Sequence, residues 1–321
     1  MISYIFRRLL FLVPLLLIMG FIGFLCVNLA PGNYFDTLKL NPQISEKTIE
    51  IYEQKYHLDQ NVFIQYFHWI KNIFRLDFGY SFTYNRPVFE VLYSRMFNTF
   101  ILALSVLVFS WFIAIPLGIY CAVRQYRFSD KIFSLFSFVG LSIPNFFLAL
   151  LLLYFASVTG ILPTGGMRSV GFYDLSLWGK FIDILKHLII PTVVIGTASI
   201  AGLQRLMRGN LLEVLRSQYI TAARAKGLPE QRVIYIHAVR NAINPMVTIF
   251  GGSLPALLSG AALTEIICSW PGLGSLMLEA VMKQDLFLFA GDLLMTGALL
   301  IIGYLFADIL LAWVDPRIQY K

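Results

Sequence analysis

The sequence predicts an all-α membrane protein of six transmembrane helices. Both termini lie inside, a large extracytoplasmic loop follows the first helix, and a basic cytoplasmic loop joins the fourth and fifth. Three observations carry this prediction. The chain is 58% hydrophobic and only 13% charged, whereas a soluble domain carries about 25% charged residues. Its apolar residues fall in long uninterrupted runs, as a lipid solvent requires. Its basic residues collect on one side of those runs.

The first span is Leu9 to Ala30, which contains no Asp, Glu, Lys or Arg and follows Arg7 and Arg8. Its basic start resembles that of a signal peptide. The apolar stretch, however, is longer than the roughly 7–15 residues of a signal core, and Ala30-Pro31-Gly32 offers no small-x-small cleavage site. It reads as a retained helix.

The segment from Pro31 to Asn98 is the large outer loop, and it is patterned. In ISEKTIEIYEQKY, Ile49, Tyr52 and Tyr56 follow a three-then-four step behind Ser45, an N-cap residue, and predict an amphipathic helix. NVFIQYFHWIKNIFRL predicts a second, aromatic-rich helix, and LDFGYSFTYNRP a turn-rich return.

The second span, Thr99 to Val123, carries Pro116 and Gly118, and the short inside turn RQYRFSDK follows it. The run Ile132 to Met167 holds the third span and an uncharged tail. Within it Ser142, Pro144 and Asn145 form a polar, kink-prone patch, which is either a packing kink or a pathway-facing position. An outer loop with a polar run to His187 precedes the fourth span, Leu188 to Gln204. The fifth is Ala242 to Thr264, and the sixth, Leu293 to Val314, is interrupted only by Asp308.

With the N-terminus inside, the inner segments hold Arg7, Arg8, Arg124, Arg127, Lys131, Arg205, Arg208, Arg216, Arg224, Lys226, Arg232, Arg240, Arg317 and Lys321, against four acids. The bias sets both termini inside. It also accounts for the net charge of +7 without any nucleic-acid partner. The chain reads as a single transmembrane domain over 1–321. Residues 1–98 are the first helix and its outer loop, 99–321 a five-helix core, and 205–241 its inner loop.

Several chemistries lack their residues. There is no phosphate-binding loop, G-x-G-x-x-G, H-E-x-x-H pair or G-x-S-x-G elbow. Cys26, Cys121 and Cys268 are too widely spaced for a metal or disulfide framework, and read as apolar filler. The chain is therefore expected to be no enzyme and to hold no metal or cofactor itself. Any nucleotide used must be bound by another chain.

Two stretches remain as candidate sites. In the first, Tyr219, Ala222, Ala223 and Lys226 share one face of a helix predicted from Ser217 to Lys226. The face is small in its middle, which permits close approach of another surface, or it belongs to a solvated basic loop. Gly227 and Pro229 supply the stop, and a return helix over Glu230–Asn241 leads to the fifth span. In the second, Trp270, Pro271, Gly272 and Gly274 predict a tight non-helical dip with Glu265 as the nearest acid. That dip is either an interfacial turn anchored by Trp270 or part of an outer gate.

The stretch YITAARAKGLPEQRVIYIHAVRNAINP closely resembles the cytoplasmic signature (EAA) loop of ABC importer permeases, in particular of the peptide and nickel group. Tyr219, Ala223, Arg224, Ala225, Lys226, Gly227, His237, Ala238, Arg240, Asn241, Ala242 and Pro245 fit its pattern. RRLLFLVPLLL with LAPGN, RPVFEVLYSRMFNTFILAL, EIICSWPGLGSLMLEAV and WVDPRIQY resemble four further stretches of that group, so the likeness spans the chain. Three positions depart from it. Gln218 stands where an acid is common, Leu76 where G-D-L-G-x-S has glycine, and Asn33 where an acid follows Pro-Gly.

The resemblance implies one of two membrane permeases in a binding-protein-dependent importer of the prokaryotic inner membrane. Its implied partners are a second homologous permease, two cytoplasmic ABC ATPases that hold ATP and Mg, an extracytoplasmic solute-binding protein and membrane lipid. The loop helix becomes a coupling helix docked on an ATPase, with Arg224 and Lys226 able to pair with its acids. Di- or oligopeptides are the implied solute, with nickel complexes or glutathione-type peptides as alternatives. An ion-coupled carrier working alone is a different class; it needs ionisable groups in mid-membrane, which these spans nearly lack.

Overall fold

The computed structural model describes residues 2–29, 60–247, 249–250, 252–253 and 262–314, with three single helical positions, 47, 51 and 54. The helix predicted after Ser45 lies outside the described residues apart from those three positions. The Pro31-Gly32 turn and the D-P-R ending lie wholly outside them.

The described chain is mostly helical. Four helices are long and apolar enough to cross a bilayer: Leu10–Leu29, Val88–Val123, Leu177–Leu215 and Leu286–Phe306. A bent pair, Phe128–Ser142 with Asn145–Thr159, makes a fifth if counted as one span. The predicted fifth span, 242–264, is only partly described, as helical residues 244–247, 249–250, 252–253 and 262–264.

The chain divides into two compact units. The first comprises residues 1–99 and 271–302, with 320–321. It holds α1 (Ile2–Leu29), α2 (Val62–Ile73), a two-residue hairpin of β1 (Tyr80–Ser81) and β2 (Arg86–Pro87), and the start of α3 (Val88–Val123). α11 (Leu273–Met282) and most of α12 (Leu286–Val314) complete it. The core gathers Phe24, Trp69, Phe78, Leu92, Leu276 and Leu288. Trp69 Nε1 donates to the carbonyl of Phe78 at 3.0 Å, and Tyr66 to that of Leu17 at 2.5 Å. The aromatic helix thus packs onto α1 as part of a protein core.

Asp285 organises this unit. Its fully buried carboxylate accepts from Ser81 Oγ at 2.7 Å, from the Thr83 amide at 3.0 Å and from the Leu288 amide at 3.3 Å. It therefore caps α12 and holds the hairpin with one side chain.

The second unit comprises residues 100–270 and 303–319. It holds the rest of α3, then α4 (Phe128–Ser142), α5 (Asn145–Thr159), α6 (Leu177–Leu215), α7 (Gln218–Ala225) and α8 (Glu230–Arg232). A π segment (Val233–Ala238), α9 (Val239–Ala242) and α10 (Ala262–Ile267) follow. Proline sets the break between α4 and α5. The residue before a proline is pushed to extended backbone, and Ile143 has ψ 120°, so α4 stops at Ser142 and the axis turns by 101°. The kink-prone patch predicted at Ser142, Pro144 and Asn145 is the site of this bend, and the single third helix with an uncharged tail is a pair of helices instead.

α6 runs well beyond the predicted Leu188–Gln204. It begins at Leu177, where Ser176 Oγ accepts from the Gly179 amide at 3.2 Å, and ends at Leu215. At about 1.5 Å per residue, 39 residues outreach the roughly 30 Å of a bilayer core. The part of the polar run from Leu177 to His187, expected in a loop, is the helix's first three turns. α3 crosses α6 closely at Gly118, where an added Cβ would sit 2.9 Å from the carbonyl of Gln204.

Candidate functional site

Three parts of the molecule hold the residues singled out by sequence. The first is the loop that follows α6. Ser217 has extended backbone, φ −72° and ψ 152°, and precedes α7. The helix stops where Gly227 takes φ +77° and its amide donates to the carbonyl of Arg224 at 2.9 Å. Pro229 then caps α8. The predicted short helix, glycine stop and return helix are all present.

The buried face of α7 differs from the expected one. Ile220 is fully buried and joins Met207 and Leu211 of α6 with Val233 and Met246 in one cluster, against which Ala223 also packs. Tyr219, Ala222, Arg224, Ala225 and Lys226 are exposed. Ala223 therefore belongs to the helix's own seat, and the outward small residues are Ala222 and Ala225. Ile220 decides this, because it has the most apolar surface to remove from water on this short helix.

Arg224 also differs. Its guanidinium donates to both carboxylate oxygens of Glu230, at 3.1 Å and 2.7 Å, across the Gly227 turn. The sequence reading gave this side chain to acids on another chain; here it closes its own loop. The fork-to-carboxylate geometry holds the Glu230 carboxyl below its ordinary value and raises the guanidinium further.

The return helix is not wholly α. Val233–Ala238 has π hydrogen bonding, which sets residue i+5 over residue i. Val233, Ile234 and Ala238 are thereby buried together. His237 lies half-buried in the last turn of the segment, Arg240 is exposed, and Asn241 Nδ2 donates to Tyr219 Oη at 2.9 Å and to the carbonyl of His237 at 3.0 Å. Pro245 is exposed within the helical residues that follow.

The second part is the outer turn. α10 ends in a Schellman arrangement: the amide of Trp270 donates to the carbonyl of Glu265 at 2.7 Å, and Ser269, with φ +52°, takes the left-handed position. Glu265 is fully buried. Trp270 is buried among Leu102, Val106, Leu188 and Ile195, so it is a core residue rather than an interfacial anchor. The chain leaves the second unit after Trp270. In the first unit, Pro271 accepts from Asn98 Nδ2 at 2.8 Å, and Thr99 Oγ1 accepts from the Leu273 amide at 2.8 Å. Gly272 precedes α11 with extended backbone. Gly274, expected in the dip, is already helical, so the non-helical stretch is Cys268 to Gly272.

The polar patch at the third span is divided. Ser142 Oγ bonds back to the carbonyl of Phe138 at 2.8 Å, and Pro144 is exposed at the bend. Asn145 opens α5 half-buried and lines a cavity in the second unit.

Sequence reasoning missed a two-pronged ion pair between the turn after α3 and α6. Arg208 Nε and Nη2 grip the two oxygens of Asp130 at 2.8 Å each, and the Tyr126 amide donates to the same carboxylate at 2.9 Å. The one available signal was a single acid in the basic turn RQYRFSDK. Among the described residues, no three His, Cys, Asp or Glu side chains come together as metal ligands would.

Long apolar helices, a buried turn and a short capped loop helix are features of a membrane permease. Residues 114–320 match the family model of binding-protein-dependent transport system inner membrane components, and residues 1–106 match that of the N-terminal region of such components. The chain belongs to this family. It is 39% identical to the oligopeptide transport system permease AppB of Bacillus subtilis, over the whole of both chains. It is 35% identical to the dipeptide transport system permease DppB of Alkalihalophilus pseudofirmus, again over both full lengths. Among solved structures, the methionine ABC transporter MetNI in inward-facing conformations shares the fold. That likeness has a TM-score of 0.55 at 16% identity and covers 70% of this chain and 96% of the other.

Proposed function

We propose that this chain is one of two membrane permeases of an ATP-driven, binding-protein-dependent importer of di- or oligopeptides in a prokaryotic inner membrane. It crosses the bilayer six times as a single permease domain with both termini inside. A binding protein delivers solute from outside, and a second permease completes the pathway. ATP and Mg are held by two cytoplasmic ATPase subunits. Peptide permeases at 35–39% identity over full length support the solute class.

One observation carries the coupling role. α7 is seated on α6 through Ile220 while Tyr219, Ala222, Ala225 and Lys226 face outward, a small and basic surface bounded by the stop at Gly227. Such a surface admits a close-fitting groove on an ATPase, and Lys226 can meet its acids. His237, Arg240, Asn241 and Pro245 carry the motion back toward the membrane. Glu265, Trp270, Pro271, Gly272 and Gly274 belong to the outer gate, and Ser142, Pro144 and Asn145 to the pathway.

The test is reconstitution with the partner subunits in liposomes. Ala222→Glu leaves the chain folded and abolishes both solute-stimulated ATP hydrolysis and uptake of labelled di- and tripeptides. Unchanged hydrolysis by that variant refutes the docking role. Uptake of glutathione in place of other peptides refutes the general peptide assignment.

A further inference from the structure

α2 (Val62–Ile73) has two apolar faces, and the core of its unit takes only one. Gln65, Tyr66 and Trp69 turn inward. Phe63, Phe67 and Phe74 follow a second line along the helix, and are 67%, 69% and 78% exposed. Lys71 and Arg75, also exposed, stand beside that line. α2 holds no acid. The acid that follows, Asp77, gives its carboxylate to the Gly79 amide at 2.9 Å. Among the described residues neither Lys71 nor Arg75 meets a carboxylate.

What α2 holds fixes its depth. Tyr66 Oη donates to the carbonyl of Leu17 at 2.5 Å. Phe63 stacks on Phe21 with ring centres 5.4 Å apart, and Trp69 packs on Phe24 at 5.7 Å. Gly20 makes the close approach, since a Cβ there would lie 3.3 Å from the Tyr66 hydroxyl. These α1 residues all fall within Leu10–Leu29, which is long and apolar enough to cross a bilayer. At about 1.5 Å per residue, Leu17 is about 18 Å from the Leu29 end, near the middle of a hydrocarbon layer about 30 Å thick. α2 has only 12 residues, so it enters that layer without crossing it. Ile18 and Ile22, which flank Phe21 on α1, are exposed as well, so the lipid-facing side of α1 runs up to the edge of α2.

We propose that α2 is a non-spanning helix sunk into one leaflet, with Phe63, Phe67 and Phe74 among acyl chains and Lys71 and Arg75 at the phosphate of an anionic phospholipid. From Phe63 on Phe21 to Trp69 on Phe24, α2 follows α1 toward its Leu29 end. Its last turn therefore lies nearest the surface, and the lysine and arginine stems lengthen the reach to the headgroups. An exposed aromatic line with cations beside it is the pattern of a helix lying in a membrane. Acyl chains take the phenylalanines out of water, and phosphate answers two cations that no acid of the helix meets. The inference asks nothing of the solute or of the coupling loop.

Two measurements on the complete transporter in liposomes test this. In a background of Cys26→Ser, Cys121→Ala and Cys268→Ala, a nitroxide is attached to Phe67→Cys. Oxygen, which concentrates in lipid, collides with the label more often than a water-soluble nickel chelate does. The reverse order places α2 in water, and few collisions with either place protein over it, whether another segment of this chain or a partner subunit; both results overturn the proposal. The second measurement leaves the cysteines in place and puts p-benzoylphenylalanine at position 67, in vesicles of equal parts phosphatidylglycerol and phosphatidylcholine. Irradiation adds the mass of a phospholipid, with phosphatidylglycerol in excess, and a cross-link to protein in its place overturns the proposal. Lys71→Gln and Arg75→Gln each lower the ratio of phosphatidylglycerol to phosphatidylcholine adducts by about fivefold. An unchanged ratio overturns the contact with an anionic headgroup.

Discussion

Arg208 and Asp130 are joined by two parallel hydrogen bonds of 2.8 Å, and the Asp130 side chain is only 3% exposed. The pair ties the short turn between α3 and α4 to α6. Removing Arg208 leaves the Asp130 carboxylate charged and nearly dry. Arg208→Ala is expected to destabilise the chain by about 3–5 kcal/mol, read as a lowered thermal midpoint in detergent. Arg208→Lys keeps the charge and loses the fork, and falls between wild type and Arg208→Ala.

Arg224 and Glu230 make the same fork in water, and the consequence is different. Both are about half exposed, so the pair adds little to global stability. Its pH dependence is still specific. The Glu230 carboxyl is held low, chiefly by the Arg224 guanidinium. Its contribution is full above the ordinary glutamate value of about 4.3 and is lost as pH falls through the lowered folded value. Hydrogen exchange of the amides at 227–232 is therefore expected to show the loop equally closed from pH 8 to 5, after correction for intrinsic rates, and opening below about pH 4. Glu230→Gln opens it at every pH.

Two helix ends carry the wrong residue for their backbone. Leu76 has φ +61° and Ser269 φ +52°, each at the left-handed position of a Schellman arrangement. The amide of Asp77 donates to the carbonyl of Asn72 at 3.1 Å in the first, as Trp270 does to Glu265 in the second. A side chain there costs about 1–2 kcal/mol, partly offset by the entropy glycine adds to the unfolded chain. Leu76→Gly and Ser269→Gly are each expected to raise stability by about 0.5–1 kcal/mol, seen as higher thermal midpoints.

Asp285 answers three donors from a fully buried position. Asp285→Ala strands the Ser81 hydroxyl and the Thr83 and Leu288 amides, and is expected to cost about 3 kcal/mol. Limited proteolysis will find the hairpin at 80–87 cut first. Asp285→Asn retains an acceptor and loses less.

Local features were readable from the chain alone. Gly227 and Pro229 mark the stop of α7, and Pro144 marks the bend. Leu76, which departs from the resembled G-D-L-G-x-S pattern at a glycine position, falls on a left-handed backbone. What escaped was set by distant partners. Asp130 and Arg208 are 78 residues apart, Ser81 and Asp285 204 apart. No local pattern announces either pair. Ala223 was misjudged for the same reason: spacing placed it on the small face, but the seat is decided by Ile220 meeting Met207 and Leu211 on α6. The ends of α6 were lost because charged residues were read as the end of a helix, when they mark only the end of oil.

The π segment at Val233–Ala238 makes the return helix tolerant of a change in length at one place and nowhere else. An i→i+5 register accommodates one residue more than the α register needs. Losing one residue between 233 and 238 restores ordinary α phase and leaves both flanks pointing as before. The same loss in α7 rotates everything beyond it by about 100°. The loop is thus joined to the following helix by a seam, where the count of residues can change while the direction of every neighbouring side chain is kept.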